Sequence, residues 1–214
     1  MLHALVCVWN NVETISQVLT ILSKIVDRIV ILEGRWIGYE GSLRSTDGTI
    51  EKIWEFIQNQ KCNSPLQIKF MMLTRPFHQC EARNILISEV PDGDWFMIID
   101  SDEILVNFPS REEINELLKK PVKGYCFYMF EHDQSQDKAM WILPPRLLKK
   151  CSGMHLSKNH RYLQINNELV DYNVKDFPPL KQFIIHHLSK KKTREQAEKY
   201  KEWLQKFECY GKNP

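Results

Sequence analysis

Residues Trp95-Phe96-Met97-Ile98-Ile99 form an unbroken apolar run that stops in Asp100-Ser101-Asp102-Glu103. A strand with one wet face alternates apolar and polar side chains. A short run without alternation reads as a strand buried on both faces. Such a strand needs cover on each side, which the helices of a mostly parallel sheet supply. Sheets of that kind hold ligands just beyond the carboxyl ends of their strands, and that is where these carboxylates fall.

The chain on either side follows the same plan. Residues 2–9 are apolar and lead into Asn10-Asn11. Val12, Ile15, Val18, Leu19, Leu22 and Ile25 then recur at helical steps. Arg28-Ile29-Val30-Ile31-Leu32-Glu33 reads as a second strand ending in an acid. Ser45-Thr46-Asp47-Gly48-Thr49 is rich in capping residues and opens a helix predicted to bury Ile50, Ile53, Trp54 and Ile57. A strand over 67–73 and a helix carrying Ala82, Ile85 and Leu86 precede the 95–100 strand. Strand and helix alternate with short connections, which predicts an α/β fold with right-handed crossovers. The Gly34, Gly38 and Gly41 spacing is not that of a dinucleotide fingerprint and follows the second strand. Residues 34–44 are therefore read as a loop over a ligand or a surface excursion.

Beyond Glu103 the character changes. A helix is expected over 110–119, with Ile114, Leu117 and Leu118 inward. Strands are expected over 123–131 and 139–149, joined by a polar loop over 131–138. Residues 150–180 are mixed, and Phe183-Ile184-Ile185 ends in His186-His187. From Lys190 a basic helix places Ala197, Tyr200, Leu204 and Phe207 on one face, predicted to pack on the domain.

The totals narrow the function. A chain of 214 residues suits one α/β domain with a sizeable core. A net charge of +2 argues against a dedicated nucleic-acid binder. No apolar run approaches the roughly 20 residues of a spanning helix, and the first residues lack the basic start of a leader. A soluble, cytoplasmic protein is expected, with membrane contact at most peripheral. The six cysteines include no C-x-x-C pair and read as reduced, mostly buried thiols.

Asp100 and Asp102 project from one side of an extended chain. Neighbouring carboxylates repel unless a cation sits between them, and a hard divalent ion such as Mg2+ or Mn2+ shares its shell with phosphate oxygens. A calcium EF-hand fails, because Ile104 stands at the next ligand position and Asn107-Phe108 supply no glycine. The competing reading is a polar loop with Asp102 or Glu103 as a cap.

Taken in order, Asn10-Asn11, the acidic end of the second strand, Ser45-Thr46-Asp47-Gly48-Thr49, Ala82-Arg83-Asn84 and Asp100-Ser101-Asp102-Glu103 resemble the nucleotide-sugar-binding half of GT-A-fold glycosyltransferases, family 2 in particular. Pro145-Arg146-Leu147, His160 and His186 resemble the second half, so the similarity spans about residues 2–190. It implies a GT-A (Rossmann-like) domain over 1–214. Residues 1–103 would bind the nucleotide sugar, 104–189 would face the acceptor, and 190–214 would form a C-terminal helix.

The implied activity is metal-dependent, inverting transfer of a sugar from a nucleotide diphosphate, UDP first, to a hydroxyl of a glycan, lipid or protein. Glu33 would read uracil or ribose. Asn10, Asp47 and Ser101 would lie against the nucleotide, Arg83 would support the diphosphate, and Asp100 would contact the ribose. The resemblance gives Asp102, Asp100 and His186 to Mn2+ or Mg2+. The base is expected in the 131–138 loop, Asp133 first and then Glu131, with Glu168 and Asp171 as competitors. Two departures stand out: residues 34–44 are inserted, and His160-Arg161 replaces a usual His-Glu. The alternatives are a sugar-phosphate nucleotidylyltransferase and a nucleotide-sugar-binding module without catalysis.

Overall fold

The computed structural model describes residues 1–61, 65–131, 141–157 and 162–188, with the backbone alone at 61, 131 and 141. The loop around Asp133, His160 and the segment from Lys190 lie outside the described residues. In chain order the first half runs β1 (Leu2–Val8), α1 (Ile15–Leu22), β2 (Arg28–Glu33), α2 (Thr49–Lys61), β3 (Gln67–Met72), α3 (Gln79–Ser88) and β4 (Trp95–Asp100). The second half runs β5 (Glu103–Asn107), α4 (Arg111–Leu118), β6 (Gly124–Glu131), β7 (Trp141–Lys149), β8 (Met154–Ser157), β9 (Tyr162–Ile165), β10 (Glu168–Leu169) and β11 (Pro179–His187).

Eight strands form one sheet in the order β3-β2-β1-β4-β7-β6-β11-β5. The pairs β3–β2, β2–β1, β1–β4 and β6–β11 are parallel, and β4–β7, β7–β6 and β11–β5 are antiparallel. As their apolar runs require, β1, β2 and β4 are covered on both faces. Val6, Ile31, Met97 and Ile99 pack with Ile15, Leu19 and Ile53 on one side. Leu5, Val30, Phe96 and Ile98 pack with Ala82, Leu86 and Ile87 on the other, where β8–β10 form a small antiparallel sheet. Among the described residues no helix is long and apolar enough to cross a membrane.

α2 departs from the expected burial at Trp54 and Ile50. α2 buries Ile53, Phe56 and Ile57, whereas Trp54 is 45% exposed with its ring edge on Phe70, centroids 5.3 Å apart. The stripe at 53, 56 and 57 turns residue 54 toward the sheet edge, where β3 has no further neighbour to cover it. Ile50 is half-buried at the start of the helix.

The sheet also curls. Asp100 ends β4 and Glu103 begins β5, yet three strands lie between them in the sheet order. Three Cα steps span at most about 11 Å. Four flat strand spacings would cover about 19 Å. The edge must therefore bend back toward β4, and the register shifts in β6, β7 and β11 are where a ladder takes up such curvature.

Candidate functional site

From β1 the chain runs outward through β2 and β3, then returns to β4 on the other side of β1. The reversal creates a topological switch point between β1 and β4, the usual crevice for a ligand in a sheet of this kind. The ends are level: Val8 pairs with Glu33, and Cys7 pairs with Asp100. A buried polar chain closes the switch point. Asn11 Nδ2 donates to Ser101 Oγ at 2.9 Å, and Thr14 Oγ1 bridges Asn11 Oδ1 (2.8 Å) and the Ser101 carbonyl (2.6 Å). The Asn11 amide in turn donates to Thr49 Oγ1, whose hydroxyl donates to Asp47 Oδ1 at 2.6 Å. Hydrogen bonds thus tie the loops after β1 and β4 to the start of α2.

Asn10, Glu33 and Asp47, expected at a nucleotide, are brought together on this rim, where their side chains hold the loops in place. Asn10 adopts a left-handed φ of 48° and accepts from the Thr46 amide. Asp47 accepts from the Thr49 and Val12 amides. Burial pushes its carboxyl up, but these hydrogen bonds, that of Thr49 Oγ1 foremost, hold it below the usual range. Glu33 is fully buried, accepting from the Ser45 amide at 2.7 Å with Arg44 Nη1 at 3.3 Å. It anchors the returning end of the 34–44 loop. That loop leans on the β1 end through Trp9, which donates to the Ser42 carbonyl and meets the Tyr39 ring edge-on at 5.8 Å.

The acids after β4 sit in three ion pairs. Arg83, buried on α3, places Nη2 at 2.6 Å from both oxygens of Asp100. It is aimed at a carboxylate of its own chain, and its Nε has no partner among the described residues. Glu103, 2% exposed, takes Arg146 Nη2 at 2.6 Å on one oxygen and the Asp100 amide at 2.8 Å on the other. Burial raises its carboxyl above the usual range against the pull of Arg146. Asp102, a third exposed, has Oδ2 at 3.4 Å from His187 Nε2.

The histidine facing Asp102 is therefore His187, the neighbour of the expected His186. Adjacent strand residues point to opposite faces. His187 shares the side of the buried Phe183 and Ile185, and that two-residue period was the signal available to find it. Its contact with Asp102, followed by the charges of Asp102, Glu103 and Asp100, raises the imidazole above its ordinary value against burial. Asp100 and Asp102 do not stand side by side on an extended strand, because Ser101 and Asp102 form a turn. Both still act electrostatically on His187. Thr14 carries no signal in the sequence; Asn11, Thr49, Glu103 and Arg146 stand in the motifs, but their partners depend on contacts between distant loops.

Among the described residues no group of three or more His, Cys, Asp or Glu side chains is gathered to hold a metal ion. Cys7, beside Asp100 in the ladder, is pushed up to about 12 by burial and behaves as a neutral hydrophobe. Of the expected bases, Asp133 lies outside the described residues. Glu131 is placed by its backbone, opposite His187 in the β6–β11 register.

No family model and no curated protein matches the chain. Among solved structures, the crystal structure of S. aureus TarS matches with a TM-score of 0.55 at 13% identity, over 89% of this chain and 37% of TarS. S. aureus TarS 1–349 in complex with UDP-GlcNAc gives 0.44 at 14% identity, over 64% and 37%. Glucosyl-3-phosphoglycerate synthase from Mycobacterium tuberculosis, with Mn2+, UDP and phosphoglyceric acid, gives 0.38 at 16%, over 62% and 43%. The chain spans less than two fifths of the length of TarS. The likeness to full TarS carries the fold: a mixed, mostly parallel GT-A-type sheet flanked by helices.

Proposed function

We propose that this chain is a glycosyltransferase that moves a sugar from a nucleoside-diphosphate sugar to an acceptor hydroxyl, with a divalent cation and with inversion at the anomeric carbon. One observation carries the reading: at the switch point between β1 and β4, an acidic turn sets the Asp102 carboxylate 3.4 Å from the His187 imidazole on a half-exposed rim. Two such atoms can touch one ion, because ligand distances of about 2.1 Å reach across a gap of up to about 4 Å. Mg2+ and Mn2+ are commonly held by only one or two protein groups, the substrate's phosphates completing the shell. The donor set therefore fits such a cation without a closed protein cage.

Asp102 and His187 are the residues that would hold the ion, and when bound it would offset the charge that builds on the departing diphosphate. Asn10, Ser45 and Asp47 border the nucleotide on the β1 and α2 side. Arg83 acts one step back, holding Asp100 at the rim. An acceptor hydroxyl is a weak nucleophile and needs a carboxylate to take its proton as it attacks from the face opposite the leaving group. We assign that role to a carboxylate of the 131–138 segment, Asp133 first and then Glu131, whose backbone pairs with that of His187 in the β6–β11 register. On this reading residues 1–103 bind the donor and 104–189 face the acceptor.

TarS, whose fold this chain shares, has been crystallised with UDP and with UDP-GlcNAc, which makes uridine nucleotides the first probes. Calorimetric titration of UDP with and without Mn2+ is expected to show binding that requires the metal, and Asp102→Ala is expected to remove it while the fold persists. UDP release from a panel of UDP-sugars, with NMR of the product anomer, then tests turnover and inversion. Binding indifferent both to Mn2+ and to Asp102→Ala would refute the proposal.

A further inference from the structure

We infer that Glu103 and Arg146 are a positioning pair that sets the turn presenting Asp102 to His187, a role that rests on the functional reading above. Glu103 is the first residue of β5, and its side chain folds back over the turn to accept from the Asp100 amide. The four residues from Asp100 to Glu103 are thus closed by a side chain. Asp102 is held from outside as well, since its carbonyl accepts from the Leu188 amide at 2.8 Å.

Arg146 arrives from β7 where that strand leaves β4. The β4–β7 ladder covers Trp95 to Met97 against Lys149 to Leu147 and goes no further. Ile98 is the next residue, and Arg146 Nη1 lies 3.4 Å from its carbonyl while Nη2 holds Glu103. One guanidinium thus substitutes for the missing ladder bond and ties the turn to β4 and β7. Glu103 is suited to the task by having two acceptor oxygens, one for each donor. An amide of the same shape would turn a donor toward one of them.

Stability alone does not call for such a pair. Buried ion pairs can often be replaced by apolar side chains of similar volume at no net loss of stability. What the apolar replacement cannot do is grip the Asp100 amide and so fix where the next carboxylate points. Groups that orient metal ligands from behind typically change metal affinity about 10- to 100-fold when removed.

The test compares the parent with Glu103→Gln, Arg146→Lys, Arg146→Met and the double Glu103→Met/Arg146→Met, by urea unfolding and by calorimetry of UDP with Mn2+. Arg146→Met is expected to lose both stability and affinity. The double variant is expected to be more stable than Arg146→Met, since no charge is left stranded, yet to bind UDP with Mn2+ about 10- to 100-fold more weakly than the parent. Glu103→Gln should lose affinity likewise, and Arg146→Lys, which keeps one donor, should fall between. Parent-like affinity in the double variant overturns the inference, as does an affinity loss that only tracks stability across the series. The amide resonances of Asp102 and Leu188 give a readout independent of function: the double variant should shift them, and unmoved resonances overturn the pair's role. A parent indifferent to Mn2+ would instead refute the functional reading, leaving those resonances to decide the pair.

Discussion

The pairing of Arg83 with Asp100 gives a quantitative prediction, because the two partners are buried unequally. Arg83 is 4% exposed at its side chain and Asp100 is 27% exposed, with Nη2 at 2.6 Å from both carboxylate oxygens. Removing one member of a fully buried pair costs about 3–5 kcal/mol, mostly by stranding the other charge. Arg83→Met leaves behind a carboxylate that water already reaches, so the loss should drop to about 2 kcal/mol. Asp100→Ala leaves a guanidinium enclosed on α3 and should cost the full 3–5 kcal/mol. The double Arg83→Met/Asp100→Ala should cost less than the sum, since neither charge is then stranded. In a chain of this size each kcal/mol moves the midpoint by about 2–4 °C. Thermal and urea unfolding of the four proteins read the order directly. If Arg83→Met proved the costlier single change, or the two losses simply added, the account of this pair would be wrong.

Two further expectations concern other parts of the molecule. If the proposed function holds, His187→Ala should weaken Mn2+-dependent UDP binding by at least about tenfold, whereas His186→Ala should leave it within about twofold; calorimetry giving the reverse order would move the proposed cation site to His186. Asp27 accepts from the Leu2 amide at 2.7 Å and from Arg111 at 2.6 Å. Burial pushes its carboxyl up, but these bonds hold it below the ordinary value. A depressed carboxyl contributes stability above its unfolded value of about 3.9, and loses that contribution as pH falls through the folded value. Asp27→Asn should therefore cost about 1 kcal/mol at pH 7, and the gap to the parent should narrow below about pH 4. A gap that widened in acid would show the sign to be wrong.

The parallel half of the fold was readable because burial on both faces leaves a plain mark. Arg28–Glu33 and Trp95–Asp100 begin and end where the apolar runs do. Ile15, Val18, Leu19 and Leu22 lie on the buried stripe that their spacing foretold. The carboxyl-end location of the acids followed from the same logic. What could not be read was anything set by contacts between distant segments. Nothing local tells Arg83 to face Asp100, or Arg146 to face Glu103. Trp54 is apolar enough for a core, and its exposure depends on β3 being an edge. His186 and His187 are chemically alike, and only the side shared with Phe183 and Ile185 separates them. The return of β5 toward β4 is invisible in sequence, because β5 finds its partner in β11, some 80 residues later.

That return has a consequence for how the molecule comes apart. Asp102 is joined to β4 in the middle of the sheet, while His187 rides on β11, next to the outermost strand. An outer pair of strands frays at lower free energy than a sheet's centre. Fraying of β5 and β11 would carry His187 and the Leu188 support away from Asp102, leaving the loops of β1, β2 and α2 assembled. Gentle denaturation should thus first yield a protein whose Asp102–His187 contact is broken while the loops of β1, β2 and α2 stay protected against hydrogen exchange.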